Sequence, residues 1–531
     1  MPVRANPPAP SKRRRAAESE PEAAPKGRVT WPLLIDTCLA VTLGLAVLLV
    51  HDVPYMLRHS FWLDEAWVAD TVRAPVGLTH SLGLITPVAW TFLLRLVPFG
   101  GPERLRLVPL AFTMLAAAAG YLLGRELRLD RYVTGILTGA AVLLSPALLE
   151  RDDLKQYTAE AFASVVLMIL VARLENEWKI RRLVAIAAVS SIGLLFTNTV
   201  IFVGVAAMAS LGLECLLNRR YRRILELAVA SAGMLVVSVV IYVTLMRPET
   251  SLHLTAYWDP FYVPTGSGAR AVHFIYRQLE GLAPYAGFRP FLTDALGVLA
   301  GIAALIWLRR IALAAMFPIT LAIVIVASAA REYPFGDLRT STFWLVMVPL
   351  LMAIAVSAAG RLAARIHRRA PLLVGAAALA IWVPATNVYI RSHTIPNEDV
   401  HSQVEYLDSH FRRGDVVLVS YAASYAFAYY YPQIPSFPVG DGPNGHIVAY
   451  PKLPWMVVLP QRQPANLIDG LAEARAKIAA EPAGSRGRIW IIRSHQTRTE
   501  IRIWRRLLAG QPVQSIKVGP DPILLYRYQP K

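Results

Sequence analysis

The chain predicts a polytopic α-helical membrane protein of about eleven spans, with interfacial helices in its first outer loop and a small C-terminal α/β domain. Three observations carry that expectation. Of 531 residues 55% are hydrophobic and only 17% charged, too few charges to coat a soluble protein of this size. Several windows reach the roughly 20 apolar residues needed to cross a hydrocarbon core. Basic clusters occupy short connections at one end of most runs, whereas the opposite ends carry mixed acidic, aromatic and basic segments.

The formal net charge of +18 does not point to nucleic acid, because the basic residues lie in short loops between apolar runs. Cys38 and Cys215 both fall within expected spans, so neither a disulfide framework nor a thiolate metal site is expected.

Residues 1–30, with Lys12-Arg13-Arg14-Arg15 followed by Glu18, Glu20 and Glu22, read as a disordered cytoplasmic tail. The run Trp31 to Val50 is long for a signal-peptide core and reads as a retained anchor that exits near His51. The next run to end in a basic segment closes at Gly124-Arg125, so an odd number of crossings separates the two points. The short apolar stretch Leu84 to Phe99 then lies along the outer surface as an amphipathic helix.

Residues 132–149 go out and 159–174 return to Lys179, Arg181 and Arg182. The stretch 183–217 has basic residues at both flanks and is too long for one span, so it crosses twice with an outer turn near Asn198. A span at 224–246 leads to a long outer loop, 247–290. Spans 291–308, 311–328, 342–360 and 371–390 complete a membrane domain of residues 31–390. Residues 391–531 alternate β-rich runs (Val416 to Val419, Arg488 to Ile492) with a helical stretch, Ala465 to Ala480, and form an extracytoplasmic α/β domain. That domain lacks the glycine-rich phosphate fingerprint of dinucleotide-binding folds.

This threading brings three polar segments to one face. The first, Phe61-Trp62-Leu63-Asp64-Glu65-Ala66-Trp67, puts two carboxylates about 100° apart on a helix, so one can face a site while the other supports it. A solvated helix start would carry the same pair. The second holds Asp153, Lys155 and Tyr157, where a compact ammonium suits a lipid phosphate and where an ordinary juxtamembrane cluster reads equally. The third places Arg331 and Arg339 around Tyr333-Pro334-Phe335-Gly336-Asp337, suited to bidentate phosphate contact or to an internal ion pair. Trp258 in the long outer loop is an aromatic face for a sugar ring or a member of the interfacial belt.

Together, Leu63-Asp64-Glu65, Lys155-Gln156-Tyr157 and Tyr333-Pro334-Phe335-Gly336 with Arg339 resemble the outer-face motifs of GT-C glycosyltransferases. The likeness is to the bacterial family 39 type that includes protein O-mannosyltransferases and lipid A aminoarabinose transferases. It covers the layout of residues 31–390, with Ile85-Thr86-Pro87 where relatives carry His-Pro-Pro or Lys-Pro-Pro.

The resemblance implies inverting transfer of a sugar from a polyprenyl-phosphate donor to a glycan, lipid or protein acceptor at the extracytoplasmic face of the bilayer. Asp64 would be the general base and Glu65 a supporting carboxylate. Lys155 and Arg339, with Arg331, would hold the donor phosphate, and Tyr157, Asp153, Trp258 and Tyr333 would contact substrate. No cofactor is implied; Asp152-Asp153 offers oxygen ligands to a divalent cation, yet a required metal is not expected. Two other classes fit the composition. A transporter or flippase would carry ionisable residues near the midplane of its spans. A non-catalytic scaffold or sensor would use residues 391–531 to bind a partner.

Overall fold

A chain crossing lipid must satisfy its own backbone groups, so apolar runs become helices and polar joints become turns. The computed structural model describes residues 31–73, 86–97, 102–149, 153–246, 258–287, 291–392, 398–431, 437–442, 445–449, 453–480 and 487–528. The N-terminal tail expected over 1–30 lies outside them.

The helices run α1 (Trp31–Val50), α2 (Leu63–Arg73), α3 (Val88–Arg95), α4 (Leu107–Glu126), α5 (Arg131–Leu143), α6 (Tyr157–Asn176), α7 (Ile180–Ile192) and α8 (Val200–Leu217). They continue with α9 (Tyr221–Ile241), α10 (Gly268–Ala286), α11 (Phe291–Trp307), α12 (Ile311–Ala329), α13 (Leu338–Leu345), α14 (Met347–Ala363) and α15 (Ala370–Ser392). Among the described residues, eight helices are long and apolar enough to cross a membrane, counting α13 and α14 as one. With α5, α7 and α11, of 13, 13 and 17 residues, they occupy every expected span. This is a multi-pass membrane protein.

Close helix contact in the bundle uses small residues, as expected where lipid and side chains are equally apolar. A Cβ on Gly124 of α4 would stand 2.2 Å from the Thr138 hydroxyl of α5, so only glycine admits that approach. Ionisable groups stay near the ends. Every Asp and Glu of the spanning helices lies within about two turns of a terminus. Asp36, the acid deepest in the first span, is buried and accepts from the Tyr121 hydroxyl at 2.8 Å, with Arg131 and Arg125 beside it. That pairing makes Asp36 a structural anchor.

The loop expected over 247–290 instead contains α10, of 19 residues. Ala271, Phe274, Ile275, Leu279, Leu282 and Ala286 recur every three or four positions and pack on the bundle core. Arg270, Arg277 and Glu280 break the apolar run and hide the helix from a search for spans. In the connection between α1 and α4, α3 has eight residues, about 12 Å, too short to cross. Its Trp90 indole is buried and donates to the Leu154 carbonyl at 2.8 Å, which ties this helix to the polar segment before α6.

The C-terminal region adds α16 (Val400–His410), β1 (Val416–Val419), α17 (Tyr421–Tyr430), β2 (Phe437–Gly442), β3 (Gly445–Ala449), β4 (Met456–Val458) and α18 (Pro464–Ala479). It ends with β5 (Arg488–Ile492), α19 (Arg498–Leu507), β6 (Val513–Ile516) and β7 (Ile523–Arg527). A five-stranded sheet has the order β4-β1-β5-β7-β6, with β1 parallel to both neighbours and the β7 pairings antiparallel. β2 and β3 form a separate ribbon.

All four residues of β1 are buried, because helices cover both faces of the sheet. Leu467, Leu471, Ala474 and Ile478 of α18 cover one face. On the other, α16 and α17 share a core with Phe61, Ala66, Trp90 and Leu154 of the membrane domain. The α/β domain therefore sits directly on the connection between α1 and α4 that carries Asp64 and Glu65.

Candidate active site

Helix α2 starts where its sequence favours a start: Asp64 and Glu65 lie in its first turn, complementing the positive helix end. Its exposed N–H groups find carboxylates. Trp62 N–H donates to Glu65 Oε2 at 3.4 Å, and Leu63 N–H donates to Glu398 Oε2 at 3.1 Å. Opposite packing comes from α17, where Tyr425 stacks on Trp67 with centroids 5.5 Å apart and the Tyr430 hydroxyl accepts from Phe61 N–H at 2.7 Å.

The two adjacent acids diverge as helical geometry requires. Glu65 turns into the protein and pairs with Arg106, whose Nε donates to Oε1 at 2.7 Å and whose Nη2 donates to Oε2. Arg106 also donates to the carbonyls of Met56, His59 and Ser60 at 2.6, 2.7 and 3.1 Å, so the guanidinium closes the loop before α2. Glu65 is a positioning carboxylate in this arrangement.

Asp64 points the other way, to two cations. Lys155 Nζ donates to its Oδ2 at 2.8 Å, and Arg339 Nη1 donates to the same oxygen at 3.1 Å. Asp64 is 7% exposed and Lys155 8%. Burial pushes the Asp64 carboxyl upward, but Lys155, Arg339 and, more weakly, His495 overcome it and hold the group below its ordinary value. It is charged at neutral pH and electrostatically satisfied.

The cations are held by their own segments. Asp153 is buried and accepts from Lys155 N–H at 3.3 Å, shaping the turn that aims Lys155. Asp337 caps α13 by accepting from Arg339 N–H at 2.8 Å and also from Arg339 Nε at 3.0 Å, so one carboxylate sets both the backbone and the guanidinium. Gly336 has φ +100°, and a Cβ there would meet Gln278 of α10 at 2.4 Å, so this turn needs glycine. Trp258 lies against Arg339, with its ring 5.2 Å from the guanidinium carbon.

Other expected residues fall around this centre. Tyr157 opens α6 within electrostatic reach of Arg339. The Tyr333 hydroxyl donates to the Thr340 carbonyl at 3.0 Å, and burial pushes its pKa well up. Arg331 is turned elsewhere: it is exposed, pairs with Asp259 and covers the Tyr262 ring at 4.9 Å. The structure thus brings Asp64, Lys155 and Arg339 together and leaves Arg331 outside their contacts. Asp152 lies outside the described residues, among which no group of three or more His, Cys, Asp and Glu is arranged to hold a metal ion.

No family model matches the chain, and no curated protein matches it in sequence. Solved structures that match it in three dimensions include two of one protein. ArnT from Cupriavidus metallidurans bound to undecaprenyl phosphate aligns with TM-score 0.51 over 95% of this chain and 100% of its own, at 13% identity. The same protein in the apo state gives TM-score 0.52 at 12% identity, covering 94% and 99%. This chain has the ArnT fold. Membrane bundle, the helices between α1 and α4, and C-terminal α/β domain are all within the aligned region, since the alignment spans nearly the whole of both chains.

On this ArnT-like scaffold the C-terminal domain adds residues that sequence reasoning missed. Glu398 joins Leu63 N–H, the Ser494 hydroxyl at 3.1 Å and His495 Nδ1, while its backbone carbonyl accepts from the Ser60 hydroxyl at 2.7 Å. His495 stands near Trp62, with ring centroids 6.4 Å apart, in a left-handed backbone conformation of φ +47°. Its hydrogen bond to Glu398 raises its pKa against the opposing effect of burial. Both residues lie more than 330 positions from Leu63, so no local pattern announces them. Arg106 was equally hidden, as one of several basic residues between Arg95 and Arg131.

Proposed function

We propose that the protein is a membrane glycosyltransferase of GT-C type that moves a sugar from a polyprenyl-phosphate donor to an acceptor, with inversion at the anomeric carbon. The observation carrying this reading is the buried carboxylate of Asp64 held between Lys155 and Arg339. An acid between two cations is what a site needs when it must both take a proton and receive a phosphate. The fold shared with a protein whose solved structure contains undecaprenyl phosphate supports the same donor class.

In the resting arrangement Asp64 neutralises the two cations. A donor phosphate brings negative charge that competes for Lys155 and Arg339, and their withdrawal releases Asp64 from the field that depresses its pKa. Asp64 then accepts the proton of the acceptor hydroxyl or amine as the acceptor atom bonds to the anomeric carbon. The bond from that carbon to the phosphate oxygen breaks, and the departing polyprenyl phosphate carries an added negative charge. Lys155 and Arg339 stabilise that charge in a water-poor site. Tyr157 and Trp258 border the cation pair where the sugar would sit, and Glu65 with Arg106 keeps α2 in register. Transfer takes place on the extracytoplasmic face.

The test is transfer from a panel of radiolabelled polyprenyl-phosphate sugars by the purified protein, wild type against Asp64→Asn. Transfer from at least one donor, lost in the variant, supports the reading. Equal transfer by Asp64→Asn removes Asp64 as base.

A further inference from the structure

Helices α4 and α6 each have 20 residues, about 30 Å, and both begin beside the cluster described above. α4 follows Arg106, and α6 follows Lys155 by two residues. Their other ends, at Glu126 and Asn176, are therefore on the opposite face of the bundle. There a cavity of about 470 Å³ opens, lined by Arg125, Arg128, Arg131, Arg173 and Arg182 with Glu126 and Glu177. Its size is that of a small-ligand site.

All five basic residues in this wall are arginines, which offer planar forks matched to phosphate oxygens. Four are held in place by protein groups. Arg125 and Arg131 pair with the buried Asp36, and Arg173 Nε donates to Glu126 at 2.9 Å. Arg182 donates to the carbonyls of Arg173 and Glu177 at 2.6 and 2.7 Å and pairs with the Glu177 carboxylate at 3.2 Å. Five arginines thus meet three carboxylates, and two positive charges are left over.

Arg128 carries part of that surplus. It has no carboxylate partner among the described residues, is exposed, and sits on a backbone with φ +58°. Its carbonyl accepts from Arg361 Nη1 at 3.2 Å, which ties this turn to α14. The turn is braced in a conformation that L residues rarely adopt, and it leaves an unpaired guanidinium at the mouth of a cationic cavity.

We infer that this cavity binds the phosphodiester headgroup of an anionic phospholipid in the leaflet opposite the Asp64 site. Its position one bilayer thickness from that site puts the arginines at headgroup level, where each contributes roughly 1 kcal/mol toward an anionic surface. The exposed apolar side chains of α7 and α9, including Ile180, Val184 and Leu225, flank this end of the bundle and suit the acyl chains. The inference is independent of the chemistry at Asp64.

Native mass spectrometry of the full chain released from detergent, titrated with phosphatidylglycerol, phosphatidylcholine or inorganic phosphate, tests it. The expected result is preferential retention of phosphatidylglycerol over phosphatidylcholine, with about fivefold weaker binding on Arg128→Gln from loss of one cation. Arg128→Glu weakens it further, while the thermal midpoint without lipid is unchanged in both variants. Equal retention of the two lipids, or unaltered affinity in both Arg128 variants, overturns the proposal. Inorganic phosphate binding as tightly as phosphatidylglycerol also overturns it, since the cavity would then be a site for a free anion.

Discussion

Lys155 and Asp64 are separated by 91 positions in the chain and meet in a 2.8 Å ion pair inside the protein. The pair sets the acid's titration as well as its position. Burial alone would push Asp64 upward, and Lys155 is the first of the cations that reverse the effect. Replacing Lys155 with Met therefore raises the Asp64 pKa, and the acid limb of the pH–rate profile moves to higher pH. The rate also falls by about 10²- to 10³-fold, the usual loss when one group stabilising the departing charge is removed. Asp64→Asn lowers the rate by about 10²- to 10⁴-fold at neutral pH and abolishes the acid limb. A pH–rate series on the three proteins separates these outcomes, and an unmoved limb in Lys155→Met would contradict the electrostatic assignment.

Glu65 and Arg106 make a different prediction, about folding. Both side chains are nearly fully buried, and Arg106 holds three backbone carbonyls besides Glu65. Arg106→Met leaves the Glu65 charge buried without its partner and is expected to cost about 3–5 kcal/mol. Arg106→Met combined with Glu65→Met recovers a large part of that loss, because both charges are gone. Thermal midpoints of the two single variants and the double variant give the coupling. Simple additivity of the single losses would refute the pairing as the cause.

The spans were legible because bilayer thickness imposes one length and one composition on each, and basic loops fix their parity. Helix α10 was not legible. Its apolar stripe is one-sided, and Arg270, Arg277 and Glu280 lower its hydropathy below that of a span. Asp64, Lys155 and Arg339 stood out through the short motifs that resemble GT-C enzymes, since each segment read alone is equally an ordinary interfacial charge cluster. Arg106, Glu398 and His495 did not, since each gains its meaning from a contact across the chain. Arg331 shows the converse. It satisfied the same sequence criterion as Arg339, yet Asp259 takes it up at the surface.

The Glu398–His495 pair makes the seating of the C-terminal domain pH-dependent. His495 is raised chiefly by its hydrogen bond to Glu398, with burial and Arg462 opposing and Asp64 assisting; Asp521 accepts from the His495 backbone nearby. A histidine with a raised folded pKa contributes stability that is fully present below its unfolded value of about 6.5. That contribution is lost as pH rises through the folded pKa. Amide exchange in residues 60–65 should therefore quicken between slightly acid and mildly alkaline pH. Glu398→Gln keeps an acceptor for Leu63 N–H and removes the charge, so it should flatten this dependence. An identical pH response in wild type and Glu398→Gln would exclude the pair as its origin.

Asp70 lies two turns beyond Asp64 on the same helix and has the opposite electrostatic fate. It is 1% exposed, and neither carboxylate oxygen has a hydrogen-bond partner among the described residues. Burial pushes its pKa well above the ordinary value, with only Arg73 opposing. An acid raised in the folded state destabilises the protein progressively as pH climbs past its unfolded pKa of about 3.9, because ionisation is easier in the unfolded chain. Asp70→Leu, similar in size and apolar, removes that penalty and is expected to stabilise by about 1–3 kcal/mol at neutral pH. The gain should shrink toward pH 4 and below, as the carboxyl takes up its proton in the unfolded chain as well. Thermal unfolding of the two proteins at pH 4.5 and 7.5 measures both effects. A lower midpoint for Asp70→Leu at pH 7.5 would mean that the carboxyl has a stabilising partner after all.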